Sequence, residues 1–309
     1  MEVNEWLREW SCAGQEPRSP FTVDRSPRAG FALFTVLWLI VALSVVTTLA
    51  LGTGRVGRWE SANRIALRRG RWAADACLEI FLGRYAAQGA APLDSVDLGS
   101  GTWCRARIED PEAKLNINTA SDSALAAVLG NDTLAAALLD WRDPDDSARA
   151  GGAERTWYLL MHRTPPRNGP LASVAELRLV RGFDSVMVVR ADSLLTVRGS
   201  GHLNVNDASP AVLATLPGFT PFVLDVVLRA RAERRSFSDL DALVYAVPGS
   251  ARSGLLAAYA ALRQQTVFAP ELLVVHLEGH APESPAVARI DVTLVPAGAR
   301  LAVVRREVW

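Results

Sequence analysis

Residues 31–51, FALFTVLWLIVALSVVTTLAL, contain no charge, no proline and no glycine. At about 1.5 Å per helical residue, a run of ~21 residues spans roughly 30 Å, the thickness of a bilayer's hydrocarbon core. A soluble helix of this length would show a polar face, and this run offers only Thr35, Ser44, Thr47 and Thr48. The spacing therefore predicts a transmembrane helix over 31–51. Arg28-Ala29-Gly30 stands immediately before it. In an ordinary secretory signal the apolar segment precedes an A-x-A cut. Here it follows the candidate cut, so processing would leave the anchor attached to the mature chain.

The 309 residues leave room for an anchor and one or two domains with sizeable cores, and half of them are apolar, as in a folded chain. The 33 basic and 33 acidic residues cancel, which argues against a general polyanion binder. Of the three cysteines, Cys12 falls in the stretch before the anchor. Cys77 and Cys104 are compatible with one bridge in an oxidising compartment or with two separate buried thiols. No G-x-S-x-G elbow and no P-loop is present, and His162, His202, His276 and His280 show no ligand-like spacing. Enzyme chemistry is not expected.

Residues 1–30 form a charge-balanced polar leader. Beyond the anchor stand Arg55, Arg58, Arg64, Arg68, Arg69 and Arg71, so a count of basic residues does not favour a cytoplasmic amino terminus. Gly52-Thr53-Gly54-Arg55-Val56-Gly57 matches G-x-G-x-x-G by letter, but a dinucleotide fingerprint needs a strand before it. From Trp59 to about Tyr85 the pattern is helical, with Ala73, Ala76, Cys77 and Ile80 on one face. Strand signals lie far apart, at 103–109 and then at 272–278, 286–294 and 301–309, with a helical region over 111–266 between them. The expected fold class is α+β. A long helix, transmembrane and then amphipathic, packs on an antiparallel sheet that receives a large all-α insertion.

The insertion contains a repeat. Leu115-Asn-Ile-Asn-Thr-Ala-Ser121 returns as Leu203-Asn-Val-Asn-Asp-Ala-Ser209, each followed by Leu (Leu125, Leu213) and Gly (Gly130, Gly218). Thr119 and Asp207 are expected as N-caps. With Leu216-Pro-Gly-Phe219 and the Arg-rich stretch to Arg235, this resembles a pair of helix-hairpin-helix units, as in bacterial DNA-uptake receptors. A membrane-anchored DNA-binding receptor is thus the alternative function. Such hairpins hold phosphate on the N–H groups of a Gly-x-Gly turn. Here the second Gly is missing and Pro221 has no N–H, so a packing or partner role is favoured.

Between the copies lies Asp140-Trp-Arg-Asp143-Pro-Asp145-Asp146, then Gly151-Gly-Ala-Glu154. Carboxylates this dense suit a hard cation or a solvated acidic loop, and they lack the EF-hand spacing. Together with Tyr158, Pro166-Arg-Asn168, Glu176-Leu-Arg-Leu-Val-x-Gly182 and the Gly30-Phe31 junction, the motif resembles the K-type minor pseudopilins of type II protein secretion. The resemblance runs from Gly30 to Trp309. It departs from most pseudopilins at the fifth mature position, where Thr35 replaces Glu, a departure the K-type branch shares.

The resemblance implies a prepilin peptidase cut after Gly30, with methylation of Phe31. It also implies a calcium site drawing on Asp140, Asp143, Asp145, Asp146 and Glu154. The expected partners are the I- and J-type minor pseudopilins and the inner-membrane secretion platform, with the bulk of the chain periplasmic. The corresponding divisions are a leader (1–30), an anchor (31–51), the pilin helix and first strand (52–110), the insertion (111–266) and the closing strands (267–309).

Overall fold

The computed structural model describes residues 28–309 apart from 90, 283 and 284. Most of the expected leader, and Cys12 with it, lies outside the described residues. The chain divides into two units, one ending at Ser61 and one running from Ala62 to Trp309. Helix α1 (Arg28–Gln88) includes Ala32–Ala50, a stretch long and apolar enough to cross a membrane. The hydroxyls of Thr35, Ser44, Thr47 and Thr48 donate to carbonyls three or four residues earlier at 2.7–2.8 Å. They therefore need no water, as a lipid environment requires. Gly52, Gly54 and Gly57 lie inside α1 and not at a strand-to-helix turn, so the glycine letters form no nucleotide loop.

In the second unit α1 buries Ala66, Gly70, Ala73, Ala74, Cys77, Leu78 and Phe81, a spacing that keeps them on one helical face. Strands β1 (Leu93–Gly99) and β2 (Thr102–Glu109) then form a hairpin. The chain leaves the sheet through a 3-10 turn, Pro111–Ala113. It runs through β3 (Leu115–Asn116), α2 (Asp122–Leu129), α3 (Asp132–Arg142), α4 (Arg155–Leu160), a 3-10 segment (Val174–Leu179), α5 (Ser185–Asp192) and β4 (Leu195–Thr196). The second half holds β5 (Leu203–Asn204), α6 (Pro210–Leu213), α7 (Pro221–Ala232), α8 (Leu240–Ala246), α9 (Gly249–Ala257), α10 (Tyr259–Gln265) and β6 (Thr266–Val267). The sheet resumes with β7 (Leu273–His280), β8 (Val287–Ala297) and β9 (Arg300–Val308).

The five sheet strands pair in the order β1-β2-β7-β8-β9, all antiparallel. The β2–β7 pairing, with Ala106 opposite Leu277, closes the whole insertion as one loop. Cys104, Ala106, Val275, Leu277, Ile290 and Val292 face α1 and form one core with it. A separate core, including Leu125, Leu138, Tyr158, Leu177, Leu213 and Leu243, holds the insertion together. Helix and sheet meet at glycine: a Cβ on Gly279 would lie 1.9 Å from the Gly70 carbonyl oxygen. Near this contact Cys77 and Cys104 are joined, with their Cα atoms 6.0 Å apart.

The repeat folds as two like units. Each Leu-Asn start forms a two-residue parallel bridge, β3 with β4 and β5 with β6. The N-caps, however, are Ser121 and Ser209, whose hydroxyls accept from Ala124 and Val212, and not Thr119 and Asp207. Each earlier residue sits inside the turn that precedes its helix. There Asn116 and Asn204 side chains accept from the backbone N–H groups of Asn118 and Asn206, which delays the helix start by two residues. Strand β1 was not anticipated, because Asp94 and Asp97 interrupt its apolar alternation and most of it is exposed.

Candidate functional site

The last turn of α3 presents Asp140, which is fully buried, and ends at Asp143. The chain turns at Pro144 and returns to Glu154 at the start of α4. One carboxylate oxygen from each of Asp140, Asp143 and Glu154 lies within 4.8 Å of the others. Glycine is required at 152, where a Cβ would come within 2.0 Å of Asp140 Oδ2. Arg181 fixes the loop by donating to the Gly152 carbonyl at 2.7 Å, and its own backbone N–H donates to the Tyr158 hydroxyl at 2.9 Å.

The centre holds more negative charge than its protein partners neutralise. Arg149 donates from Nη1 to Asp140 Oδ1 at 2.8 Å and to Asp143 Oδ2. These bonds, to Asp143 first and Asp140 second, hold its guanidinium above the ordinary range. Both Glu154 oxygens and Asp143 Oδ1 are buried without a hydrogen-bond partner. Burial, and then the charges of Asp140, Asp143, Asp146 and Asp145, push the Glu154 carboxyl up to about 7. Unpartnered buried oxygens on that scale call for a proton or a hard cation. An all-oxygen donor set without Cys or His suits calcium and disfavours zinc.

Of the five expected ligands, the structure thus brings together three. Asp145 and Asp146 are exposed: the first accepts from the Ser147 N–H at 2.8 Å and the second from Asn168 Nδ2 at 3.3 Å. Pro144 turns both outward, and they reach Glu154 only through their charge. Arg149 was not singled out from the sequence, since a lone arginine nine residues after Asp140 carries no motif. The proposed processing junction, Gly30-Phe31, falls in the first turn of α1.

Of the four arginines in the stretch that suggested a phosphate site, three (Arg229, Arg231 and Arg235) are engaged elsewhere. Arg231 turns inward and donates to the Val205 and Ala208 carbonyls, both at 2.7 Å. Arg229 pairs with Asp225 at 2.6 Å, and Arg235 pairs with Glu233. Pro221 occupies the first turn of α7, whose cap is the Thr220 hydroxyl.

The architecture is α+β: a long helix that includes one stretch long and apolar enough to cross a membrane, and an antiparallel sheet interrupted by a helical domain with a buried acidic centre. Residues 113–200, which include that centre, match the family model described as type II secretion system protein K. The type II secretion system protein K of Pseudomonas aeruginosa is 27% identical over 257 residues, covering 70% of this chain and 76% of that protein. The fold matches a chain in the crystal structure of the GspK-GspI-GspJ complex of the enterotoxigenic Escherichia coli type 2 secretion system. The TM-score is 0.55 at 16% identity, over 85% of this chain and 99% of that one. The resemblance to the K-type minor pseudopilins and the expected α+β fold are both borne out.

Proposed function

We propose that this chain is the K-type minor pseudopilin of a type II secretion system, acting by assembly and not by catalysis. The observation that carries the reading is the protein K domain match over 113–200, set in a pilin-type fold. The chain is a single-pass protein of the bacterial inner membrane, cut after Gly30, with Ala62–Trp309 in the periplasm. The structure matched by fold is a GspK-GspI-GspJ complex, which supports the I- and J-type minor pseudopilins as partners here. With them it starts or caps a short pseudopilus below its bulky insertion. Thr35 supports a tip position. A Glu there would need a neighbour's amino terminus across the low-dielectric bundle, whereas the Thr35 hydroxyl is satisfied by Ala32 of its own helix.

Calcium at Asp140, Asp143 and Glu154 holds the first half of the insertion together, with Asp145 and Asp146 adding charge at the rim. Deleting the gene and measuring type II substrates in the medium tests the main reading. Secretion should stop, and the full chain should co-purify with the organism's small pseudopilins. Undiminished secretion, or no such complex, overturns it.

A further inference from the structure

The sheet face turned away from α1 carries charges, and His276 of β7 lies at their centre. Asp291 of β8 is its direct cross-strand neighbour, and Glu109 of β2 is diagonal to it. His276 Nδ1 is 2.8 Å from Asp291 Oδ1, and Nε2 is 2.9 Å from Glu109 Oε2. A neutral imidazole has one N–H and can donate to only one of two carboxylates. The geometry therefore selects the imidazolium, which donates to both.

The same carboxylates receive the insertion. Lys114, just before β3, donates to Glu109 Oε1 at 2.7 Å. Arg198, just after β4, lies 3.6 Å from Asp291 Oδ2 and 3.1 Å from Glu307 Oε2 of β9. Lys114 and Arg198 thus flank the β3–β4 bridge, and each sits on a carboxylate that His276 also holds, Glu109 for Lys114 and Asp291 for Arg198. Arg305 reaches Glu307 from the rim at 2.6 Å. Arg105, Arg107 and Arg289 are absorbed by Glu278 in the next row.

We propose that His276 is a proton-operated latch between the sheet and the insertion. As an imidazolium it ties together the carboxylates that anchor Lys114 and Arg198, and loss of its proton loosens that seam. The ring is about a third exposed, at 36%, so it exchanges protons with solvent. The hydrogen bond to Glu109, followed by Asp291, raises its pKa against the opposing effect of burial. The His276 bond in turn holds the Glu109 carboxyl down to about 2. A histidine raised in the folded state contributes its full stabilisation below the ordinary value of about 6.5 and loses it as pH rises through the folded value.

Histidine-labelled full chain in detergent micelles, followed by NMR over pH, tests the latch. The resonance that disappears in His276→Gln should titrate above about 6.5, and Glu109→Gln and Asp291→Asn should each move its midpoint down. A double-mutant cycle of His276→Gln with Arg198→Gln, read as melting temperature, should show coupling at about pH 6 and none at about pH 9. A midpoint at or below the ordinary value overturns the proposal, as does equal coupling at both pH values. If His276→Gln fails to fold, Asp291→Asn supplies the midpoint shift with the ring still in place.

Discussion

Arg142 and Arg231 occupy the same place in the two copies of the repeat. Arg142 donates to the carbonyls of Ile117 and, at 2.6 Å, Ala120; Arg231 donates to Val205 and Ala208, both at 2.7 Å. In each copy the acceptors are the third and sixth residues of the Leu-Asn-x-Asn-x-Ala-Ser turn, and the donor comes from the long helix that follows. Each guanidinium serves two carbonyls of one turn, Arg142 from both terminal nitrogens and Arg231 from Nη2 alone. The repeat is therefore a packing device in which arginine replaces the hydrogen bonds that the turn's backbone lacks.

Replacing either arginine by Met should leave the carbonyls of two buried residues without that donor. A cost of about 3 kcal/mol is expected for each variant, since hydrogen bonds from charged donors contribute about 1.5–3 kcal/mol. Denaturant unfolding of the full chain in detergent checks this. A loss under about 1 kcal/mol would make these bonds incidental.

The glycine contact between α1 and the sheet predicts two opposite results. Gly279→Ala would place a Cβ 1.9 Å from the Gly70 oxygen and 2.7 Å from the Ala74 nitrogen. Backbone cannot swing aside as a side chain does, so helix and strand must separate, at a cost of about 3 kcal/mol or more. Gly83→Ala in the same helix meets nothing within 4 Å and should stabilise by about 0.5–1 kcal/mol through helix propensity. Thermal melts of both variants decide whether the close approach, and not glycine itself, holds the pair together.

Cys77 and Cys104 close a loop of sequence separation 27. Chain-entropy arguments give a bridge over such a loop about 3–4 kcal/mol. Reductant should lower the melting temperature of the wild-type chain and leave that of Cys77→Ala/Cys104→Ala unchanged. Two reactive thiols in the folded, unreduced chain would show that the pair is open.

Much of the fold was legible because its signals are local. The apolar run, the alternation in Arg289-Ile-Asp-Val-Thr-Leu294 and the duplicated Leu-Asn-x-Asn turn each declare one element. Strand β1 was not legible, because an edge strand with one buried side needs few apolar residues, and Leu93 alone of its seven is buried. The acidic centre was half legible. The motif marks where carboxylates are dense, but Pro144 decides which of them point inward, and that direction has no letter code. Arg149, Gly152 and Arg181 act through contacts that only the folded loop creates. His276 carried no signal in the sequence, since Glu109 and Asp291 are 167 and 15 residues away and meet it only through strand register.

The proposed function implies processing after Gly30. A small residue immediately before an apolar helix is what a prepilin-type peptidase accepts, so the mature chain should begin at a methylated Phe31. Amino-terminal sequencing and mass measurement of the membrane fraction check this. Gly30→Leu should retain the leader and abolish secretion. An intact Met1 in the wild-type chain, or a cut beyond Leu51, would remove the pseudopilin reading of the anchor.

Calcium should stabilise the chain through the orphaned oxygens of Glu154 and Asp143. A ligand that binds only the folded state adds RT ln(1 + [L]/Kd), roughly 2.7 kcal/mol at a hundredfold excess over Kd. Melting with calcium and then with a chelator should therefore give clearly separated curves. The variants should rank by geometry. Glu154→Gln and Asp143→Asn should lose the calcium response, whereas Asp145→Asn and Asp146→Asn, whose carboxylates stay outside the cluster, should only weaken it. Without calcium, Glu154→Gln should melt higher than wild type at neutral pH, because it removes a carboxyl that burial and four neighbouring acids make costly to ionise. Identical wild-type curves with and without the ion would reduce the centre to an arginine-bridged loop closed by Arg149.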